Sequence, residues 1–442
     1  MQSRDIIVAP ATALGGAIAV IRMSGEGSIA LCNRIFKGRK PLTEAASHTI
    51  HYGTICDGER VVDDVVVAIF RAPHSYTGEE SVEISIHGSR YIASEVIRLL
   101  CEHGARMAEA GEFSQRALAA GRIDLSQAEA VADLIAAESR AAHAMAATQM
   151  RGGYSGTLDN LREELLNITS LLELELDFSE EDVEFADRER LSSMLEHTDS
   201  VVTHLMESFR VGNAIRDGVA VAIVGRPNVG KSTLLNRLVG DDRAMVSDIA
   251  GTTRDTIEES VVIDDIRFRF VDTAGLHDTN DRLEQMGIER TERAIREAQV
   301  VLYIMEPTQT ELELPELDAE QTLLLVVNKI DTSEERNIED AIYISAREGE
   351  GIDALRQALR ATVDTEGLYR GEVVVSNLRH FEALSRAHHD IEAALRALEA
   401  GISEELLAED IRSAITALAE ITGRITSDDI LRNIFSHFCI GK

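Results

Sequence analysis

Residues 225–232 read Gly-Arg-Pro-Asn-Val-Gly-Lys-Ser, and this octet constrains the chain more than any other stretch. The pattern G-x-x-x-x-G-K-S/T arises by chance roughly once in sixty chains of this length at average composition, so its flanks decide what it means. Residues 218–224 (Gly-Val-Ala-Val-Ala-Ile-Val) are an apolar, β-branched run suited to a buried parallel strand. Residues 231–239 (Lys-Ser-Thr-Leu-Leu-Asn-Arg-Leu-Val) carry helical apolar spacing. Strand, glycine loop and helix form the setting in which backbone N–H groups curl around phosphates and a helix N-terminus adds its positive end. In that setting Lys231 reaches the β- and γ-phosphates and Ser232 binds Mg²⁺.

Three further patterns follow in order. Gly251-Thr252-Thr253-Arg254-Asp255 lies where a first switch segment belongs, with a threonine able to close over Mg²⁺. Asp272-Thr273-Ala274-Gly275 follows the strand-like run Phe268 to Val271; its Asp is expected to hold Mg²⁺ through water and its Gly N–H to meet the γ-phosphate. Asn328-Lys329-Ile330-Asp331 follows the apolar run Leu323 to Val327. A carboxylate there accepts both N–H donors of a guanine edge, and adenine lacks that donor pair. Ser345-Ala346 follows Ala341 to Ile344 and is expected to offer a backbone N–H to the guanine oxygen. Each short pattern is weak alone, but four in register behind strand-like runs specify a guanine-nucleotide site.

One part is missing. Position 276, where many small GTPases place a water-orienting glutamine, is Leu276, and no cis arginine finger is evident. Such a finger contributes roughly 10³ to 10⁵ in rate, about 4–7 kcal/mol. Asn228, inside the phosphate loop, is a candidate ligand for a monovalent cation that supplies the missing charge. Glu284 is a candidate for positioning water, although on spacing alone it reads as a solvated acid within the charged segment 278–292.

The remaining residues point to more than one domain. The 442 residues carry 44 basic and 77 acidic side chains, a net charge of −33, which does not advertise the basic field of a nucleic-acid binder. A nucleic-acid role needs a local basic patch or a partner. Cys32, Cys56, Cys101 and Cys439 are scattered, which favours free thiols in a reducing compartment. No apolar run approaches a membrane span and no signal peptide is apparent, so a cytoplasmic protein without membrane contact is expected. The first 120 or so residues mix strand patterns with turns; Ser81 to His87 alternates strictly, and Val65 to Phe70 reads as a core strand. From Leu125 the pattern turns helical, with Leu158, Leu161, Leu165, Ile168 and Leu172 as one stripe. Helical spacing returns after about residue 372 with Leu378, Phe381, Leu384, Ile391, Leu395 and Leu398, and resumes with Leu406, Ile411, Ile415 and Leu418. The expected fold class is therefore multidomain α/β. It comprises an α+β N-terminal domain (1–120), an all-α helical domain from two segments (121–214 and 372–442), and an inserted P-loop α/β, Ras-like G domain (215–371). Gly212 to Gly218 is read as the entry to the insert. Two separate helical bundles are the alternative.

With these patterns in view the chain resembles the MnmE (TrmE) family of tRNA-modification GTPases over essentially its full length. Further residues carry the resemblance: Ser75-Tyr76-Thr77-Gly78-Glu79, His87-Gly88, Gly111-Glu112-Phe113-Ser114-Gln115-Arg116, Asp124 to Ala130, and Phe438-Cys439-Ile440-Gly441-Lys442. The resemblance implies a homodimer and a complex with the FAD-dependent protein MnmG (GidA). Together they would install an aminomethyl-type group, such as 5-carboxymethylaminomethyl, on carbon 5 of the tRNA wobble uridine. A tetrahydrofolate derivative (5-formyl- or methylene-tetrahydrofolate) would supply the one-carbon unit. It implies GTP contacts from Asn228, Val229, Gly230, Lys231, Ser232 and Thr233, from Ser247, Asp248, Ile249, Ala250, Gly251, Thr252 and Thr253, and from Asp272, Thr273, Ala274 and Gly275. Asn328, Lys329, Asp331, Ser345 and Ala346 complete that set. It places Mg²⁺ on Ser232 and Thr253, and K⁺ on Asn228, Ser247, Ile249 and Thr252, the cation acting in place of an arginine finger when two G domains meet. Glu284 aligns with the water-orienting glutamate and joins Lys231 and Thr253 as catalytic residues. The folate contacts fall on Arg22, Glu83, Arg122 and Lys442, and Cys439 stands near that pocket as a possible nucleophile.

Two other classes of function compete with this one on the sequence alone. A regulatory GTP switch would need the same G domain without base chemistry, and a scaffold for the flavoprotein would use hydrolysis only to time assembly.

Overall fold

The computed structural model describes residues 5–177, 188–240, 259–271, 284–309, 314–333, 338–402, 404–425, 428–436, 438 and 441. The chain divides into two compact units: Met1–Ala132 with Ser155–Asp159 and Leu418–Lys442, and Asp133–Tyr154 with Asn160–Ala417.

The first unit is built on a seven-stranded sheet. Its strands are β1 (Ile6–Pro10), β2 (Ile18–Ser24), β3 (Phe36–Gly38), β4 (Thr49–Asp57), β5 (Arg60–Phe70), β6 (Ser81–His87) and β7 (Ala105–Met107). They lie in the order β3-β4-β5-β6-β2-β1-β7, with all neighbours antiparallel except β1 and β7. Alternation decides the two faces. Ile21, Met23, Val67, Ile69, Val82 and Ile84 are fully buried against the helices Ser28–Ile35 and Arg90–Glu102. The opposite face carries Ile18, Ile50, Tyr52 and Val66, which are 68%, 73%, 70% and 39% exposed, together with Arg22 and Glu83. The run Val65 to Phe70, expected as a core strand, is therefore the inner half of a longer amphipathic strand. The helix Asp428–Ser436 belongs to the same unit, where Phe435 and Phe438 bury against Leu125 and Ala128.

The second unit holds a six-stranded sheet. Its strands are β8 (Val219–Val224), β9 (Glu259–Ile263), β10 (Ile266–Phe270), β11 (Val300–Met305), β12 (Thr322–Val327) and β13 (Ile342–Tyr343). The order is β13-β12-β11-β8-β10-β9, parallel apart from the antiparallel pair β9 and β10. Successive residues of β8 enter opposite cores: Val219 and Val221 pack with Leu234, Leu238 and Phe268, while Ala220 and Ala222 pack with Val271, Ile295 and Val301. Both faces of the sheet are covered, which is why β8 and β11 read as continuous apolar runs rather than as alternating ones. Strand β8 lies between β11 and β10, where the order reverses, and ligands of such sheets bind beyond the carboxyl ends of the strands at that point.

Long helices complete this unit. Helices Arg188–Asp217 and Leu378–Glu399 pack along each other, with Phe209 and Phe381 stacked at 4.7 Å between ring centroids. Leu195, Val202, Leu205, Leu384 and Ile391 are buried, each stabilising by roughly 1.5–3 kcal/mol. Gly212, expected to open the nucleotide-binding segment, lies inside the first of these helices, so strand structure starts at Val219. Among the described residues, no helix is long and apolar enough to cross a membrane.

Candidate functional site

The loop between β8 and the helix Lys231–Gly240 is shaped by two glycines that no other residue could replace. Gly225 has φ 152°, and a Cβ there would stand 2.1 Å from the Ile304 carbonyl oxygen of β11. Gly230 has φ 98°, and a Cβ there would stand 2.3 Å from Asn328 Nδ2. These are the close backbone approaches a phosphate loop needs. The helix then begins at Lys231, where its first N–H groups have no intrahelical acceptor, and Leu234 N–H donates to the Gly230 carbonyl at 2.9 Å. Lys231 Nζ donates to the carbonyls of Gly225 (2.8 Å) and Arg226 (3.0 Å), so its charge sits over the loop. Burial lowers the pKa of this ammonium from its ordinary value.

The base-side residues are tied to the same loop. Asn328 follows β12 and is 2% exposed. Its Nδ2 donates to the Val229 carbonyl at 2.8 Å, and its Oδ1 accepts from the Ala346 N–H at 2.9 Å. One side chain therefore joins three segments that are distant in sequence. Ser345, fully buried, donates through Oγ to Asp331 Oδ1 at 2.7 Å and fixes that carboxylate. Lys329 Nζ donates to the Asn228 carbonyl at 2.7 Å and pairs with the Glu306 carboxylate. Asn228 and Lys329 both have positive φ, 65° and 68°, a conformation that costs free energy and gathers at functional loops.

The structure thus brings together Asn228, Val229, Gly230, Lys231, Asn328, Lys329, Asp331, Ser345 and Ala346. Ser232 and Thr233 occupy the first turn of the helix behind the loop. Glu284 is the first residue of the helix Glu284–Glu297. Ser247, Asp248, Ile249, Ala250, Gly251, Thr252, Thr253, Asp272, Thr273, Ala274 and Gly275 lie outside the described residues, as do Cys439 and Lys442. Of the expected K⁺ ligands, only Asn228 is described. Its carbonyl already accepts from Lys329, which leaves the side-chain carboxamide to meet an ion. The glycine cradle, the cation above it and the clamped carboxylate suit a guanine nucleotide with Mg²⁺. Glu306 is absent from the expected set. It stands directly after β11, at the carboxyl edge of the sheet, and that position is the signal that could have found it.

The first unit carries a second polar site. Arg22 and Glu83 face each other across β2 and β6. Arg22 Nε and Nη2 donate to Glu83 Oε1 at 2.9 and 2.8 Å, and Nη1 donates to the Gly441 carbonyl at 3.4 Å. The guanidinium also lies 5.7 Å from the Tyr76 ring centroid and 5.9 Å from that of Phe113. Both side chains remain accessible, 21% and 30% exposed, so a carboxylate acceptor and a guanidinium donor are offered side by side to a ligand that has both N–H donors and carboxylates. Arg122 is exposed, and its aliphatic stem would meet a Cβ placed on Gly78 at 3.5 Å.

Beside this pair the signature residues form a polar knot. Arg116, 10% exposed, pairs with Asp5, Glu79 and Glu112, and Arg106 pairs with Asp5 and Glu112. Ser24 Oγ donates to Glu79 Oε2 at 2.7 Å and shares a hydrogen bond with Thr77, while Tyr76 and Ser114 are joined at 2.8 Å. Burial works to raise the Glu112 carboxyl, but the hydrogen bonds from Arg106, the Glu109 N–H and Arg116 outweigh it and hold the group below the usual carboxylate range. The motif 75–79 is therefore laced to the motif 111–116 next to Arg22.

Two family profiles match the chain: the MnmE helical domain over residues 125–439, and the GTP-binding protein TrmE N-terminus over residues 6–122. The tRNA modification GTPase MnmE of Bacteroides thetaiotaomicron is 47% identical over 465 residues, covering 100% of both chains. Its counterparts in Flavobacterium johnsoniae and Porphyromonas gingivalis are each 47% identical, over 466 and 468 residues, and cover 100% of this chain. Among solved structures, a point variant of Aquifex aeolicus Era bound to GDP and aluminium fluoride is 24% identical, covering 38% of this chain and 65% of its own, with a TM-score of 0.23.

Proposed function

The chain belongs to the MnmE family of tRNA-modification GTPases, and from that premise we propose that it couples K⁺-activated GTP hydrolysis to chemistry at the wobble uridine. It is a GTP hydrolase that serves tRNA modification. The finer reading is that a homodimer works with an FAD-dependent MnmG partner in the cytoplasm. A folate one-carbon unit would be built into the 5-carboxymethylaminomethyl group at carbon 5 of the uridine. The domain plan in this reading is an N-terminal folate domain (1–120), a helical domain (121–214 and 372–442) and an inserted G domain (215–371).

The observation that carries the nucleotide part is the Asn328 bridge from Val229 to Ala346, beside an Asp331 carboxylate held by Ser345. Asp331 accepts the two N–H donors of guanine, and the bridge holds the base side and phosphate side in fixed relation, so that no binding energy is lost to ordering them. Lys231 neutralises charge on the β- and γ-phosphates, with Mg²⁺ on Ser232 and Thr253. Leu276 cannot polarise water, so Glu284 at the start of its helix is assigned to orient the nucleophile. A K⁺ ion, when bound by Asn228 with Ser247, Ile249 and Thr252, supplies the charge an arginine finger would bring. Asn228 is carried into place by its own positive φ and by the Lys329 contact to its carbonyl.

Support for the N-terminal part is the juxtaposed Arg22 and Glu83, open to ligand, on the sheet face that also exposes Ile50 and Tyr52. Glu83 suits the N–H edge of a pterin; Arg22, Arg122 and Lys442 suit the carboxylates of its tail. Contiguous apolar surface of this kind marks an interaction face, and a second copy of the chain is the partner proposed for it.

The test is GTP hydrolysis in KCl against NaCl at equal ionic strength. A large K⁺-specific stimulation that disappears in Asn228→Ala is expected. Equal rates in the two salts contradict the cation-assisted mechanism.

A further inference from the structure

The chain has only five lysines: Lys37, Lys40, Lys231, Lys329 and Lys442. Lys231 and Lys329 belong to the nucleotide motifs, and Lys442 is the last residue of the chain. The other two stand with two arginines in one seven-residue stretch, Arg34-Ile-Phe-Lys37-Gly-Arg39-Lys40, and no Asp or Glu occurs between Glu26 and Glu44. In a chain of net charge −33 this is a local reversal of sign.

The stretch runs from the end of the helix Ser28–Ile35 through β3 and into the turn at Pro41. Strand β3 is the edge of its sheet and pairs only with β4, so one side of it is open. Arg34, Lys37, Arg39 and Lys40 are all exposed. Lys37 Nζ donates to the Gly58 carbonyl at 3.0 Å, and among the described residues none of the four is ion-paired with a carboxylate. Of the other arginines of this unit, Arg22, Arg60, Arg71, Arg98, Arg106 and Arg116 each have one, while Arg90 and Arg122 stand apart as single exposed cations.

Screening makes this rim matter. At physiological ionic strength the Debye length is about 8 Å, so acids farther away than that are largely hidden from a phosphate at the rim. Asp57 and Glu59 flank the Gly58 carbonyl that Lys37 holds, but Asp57 is already paired with Arg60 and Arg98, so the four cations outnumber the free acids beside them. Arginine and lysine on an exposed edge suit phosphate oxygens. Protection of an open sheet edge from strand pairing is the competing role for a lysine on β3. It accounts for Lys37 but not for Arg34 in the helix or for Arg39 and Lys40 beyond the strand.

We propose that the rim formed by Arg34, Lys37, Arg39 and Lys40 is where this chain contacts the phosphate backbone of its tRNA, an inference that rests on the tRNA-modification reading. The experiment measures binding of a tRNA transcript with uridine at the wobble position to the full chain across a KCl series. The variant Arg34→Gln/Lys37→Gln/Arg39→Gln/Lys40→Gln should bind more weakly. Its plot of log K against log salt should be shallower by about 3, at 0.7–0.9 per lost phosphate contact. Its GTP hydrolysis should be unchanged, which shows the chain folded. The charge-preserving variant Arg34→Lys/Lys37→Arg/Arg39→Lys/Lys40→Arg should bind as the wild type does. If the neutralised variant binds with wild-type affinity and slope, the rim is not the contact and this inference alone falls. If it only self-associates while its tRNA affinity holds, edge protection is the role and the inference is again overturned. If neither protein binds tRNA although both hydrolyse GTP, the tRNA contact in the functional reading falls as well.

Discussion

Asn328 donates from Nδ2 to the Val229 carbonyl at 2.8 Å, so the segment 328–331 and the glycine loop 225–230 are held together by one buried carboxamide. The same side chain accepts from Ala346 N–H, and all its reach is spent on aligning backbone. Asn328→Ala leaves a buried carbonyl and a buried N–H without partners, each a loss of about 1–3 kcal/mol. The expected result is GDP affinity weaker by roughly thirtyfold, from about 2 kcal/mol of misalignment, read by titration with a fluorescent GDP analogue. Unchanged affinity would show that the bridge does not organise the site.

In the proposed reading base choice rests on Asp331, whose carboxylate is fixed by the Ser345 hydroxyl. Asp331→Asn removes an acceptor and adds an amide donor. GTP binding should fall by about a hundredfold or more, since two charge-assisted bonds are lost. Xanthosine triphosphate, which offers a carbonyl where guanine offers an amine, should bind the variant better than GTP does. A variant that still prefers GTP would remove Asp331 from base recognition.

The knot around Arg116 makes the first unit acid-sensitive in a defined direction. Burial raises the Asp5 and Glu112 carboxyls, but contacts with Arg106 and Arg116 outweigh it and hold both below their ordinary values. A carboxyl whose folded pKa is depressed contributes stability that is present above its unfolded pKa and lost as pH falls through the folded one. The melting temperature of the wild type should therefore decline once pH drops below about 4. Arg116→Met leaves Glu112, which is 7% exposed, to Arg106 and the Glu109 N–H, and should cost about 1–3 kcal/mol at neutral pH with a flatter acid limb. Thermal melts across pH check both, and parallel profiles for the two proteins would deny the pairing its role.

Local patterns were legible from sequence where one short stretch contains the whole cause. The stripe Leu158, Leu161, Leu165, Ile168 and Leu172 is buried along one helix, and Ser81 to His87 is a strand with the expected alternation. The phosphate loop and the segment 328–331 were legible for the same reason. What could not be read depends on sheet order. Arg22 meets Glu83 only because β6 lies between β5 and β2, a placement that no spacing along the chain encodes. Glu306 finds Lys329 only because β11 and β12 are neighbours. Val65 to Phe70 reads as a core strand because its apolar run is continuous, yet Val66 is 39% exposed because only one face of the sheet is covered at β5. Arg116 was legible as part of a signature and not as the centre of an ion cluster, since its partners Asp5 and Glu79 come from distant segments.

The central claim is that GTP turnover drives wobble-uridine modification, and one reconstitution addresses it directly. The purified chain is combined with an MnmG flavoprotein, a folate one-carbon donor, K⁺ and tRNA, and the modified nucleoside is measured by mass spectrometry with GTP or with a non-hydrolysable analogue. The account predicts product with GTP alone, and none with the analogue or with Asn228→Ala. Equal product with the analogue would mean that bound nucleotide suffices and that hydrolysis only times assembly.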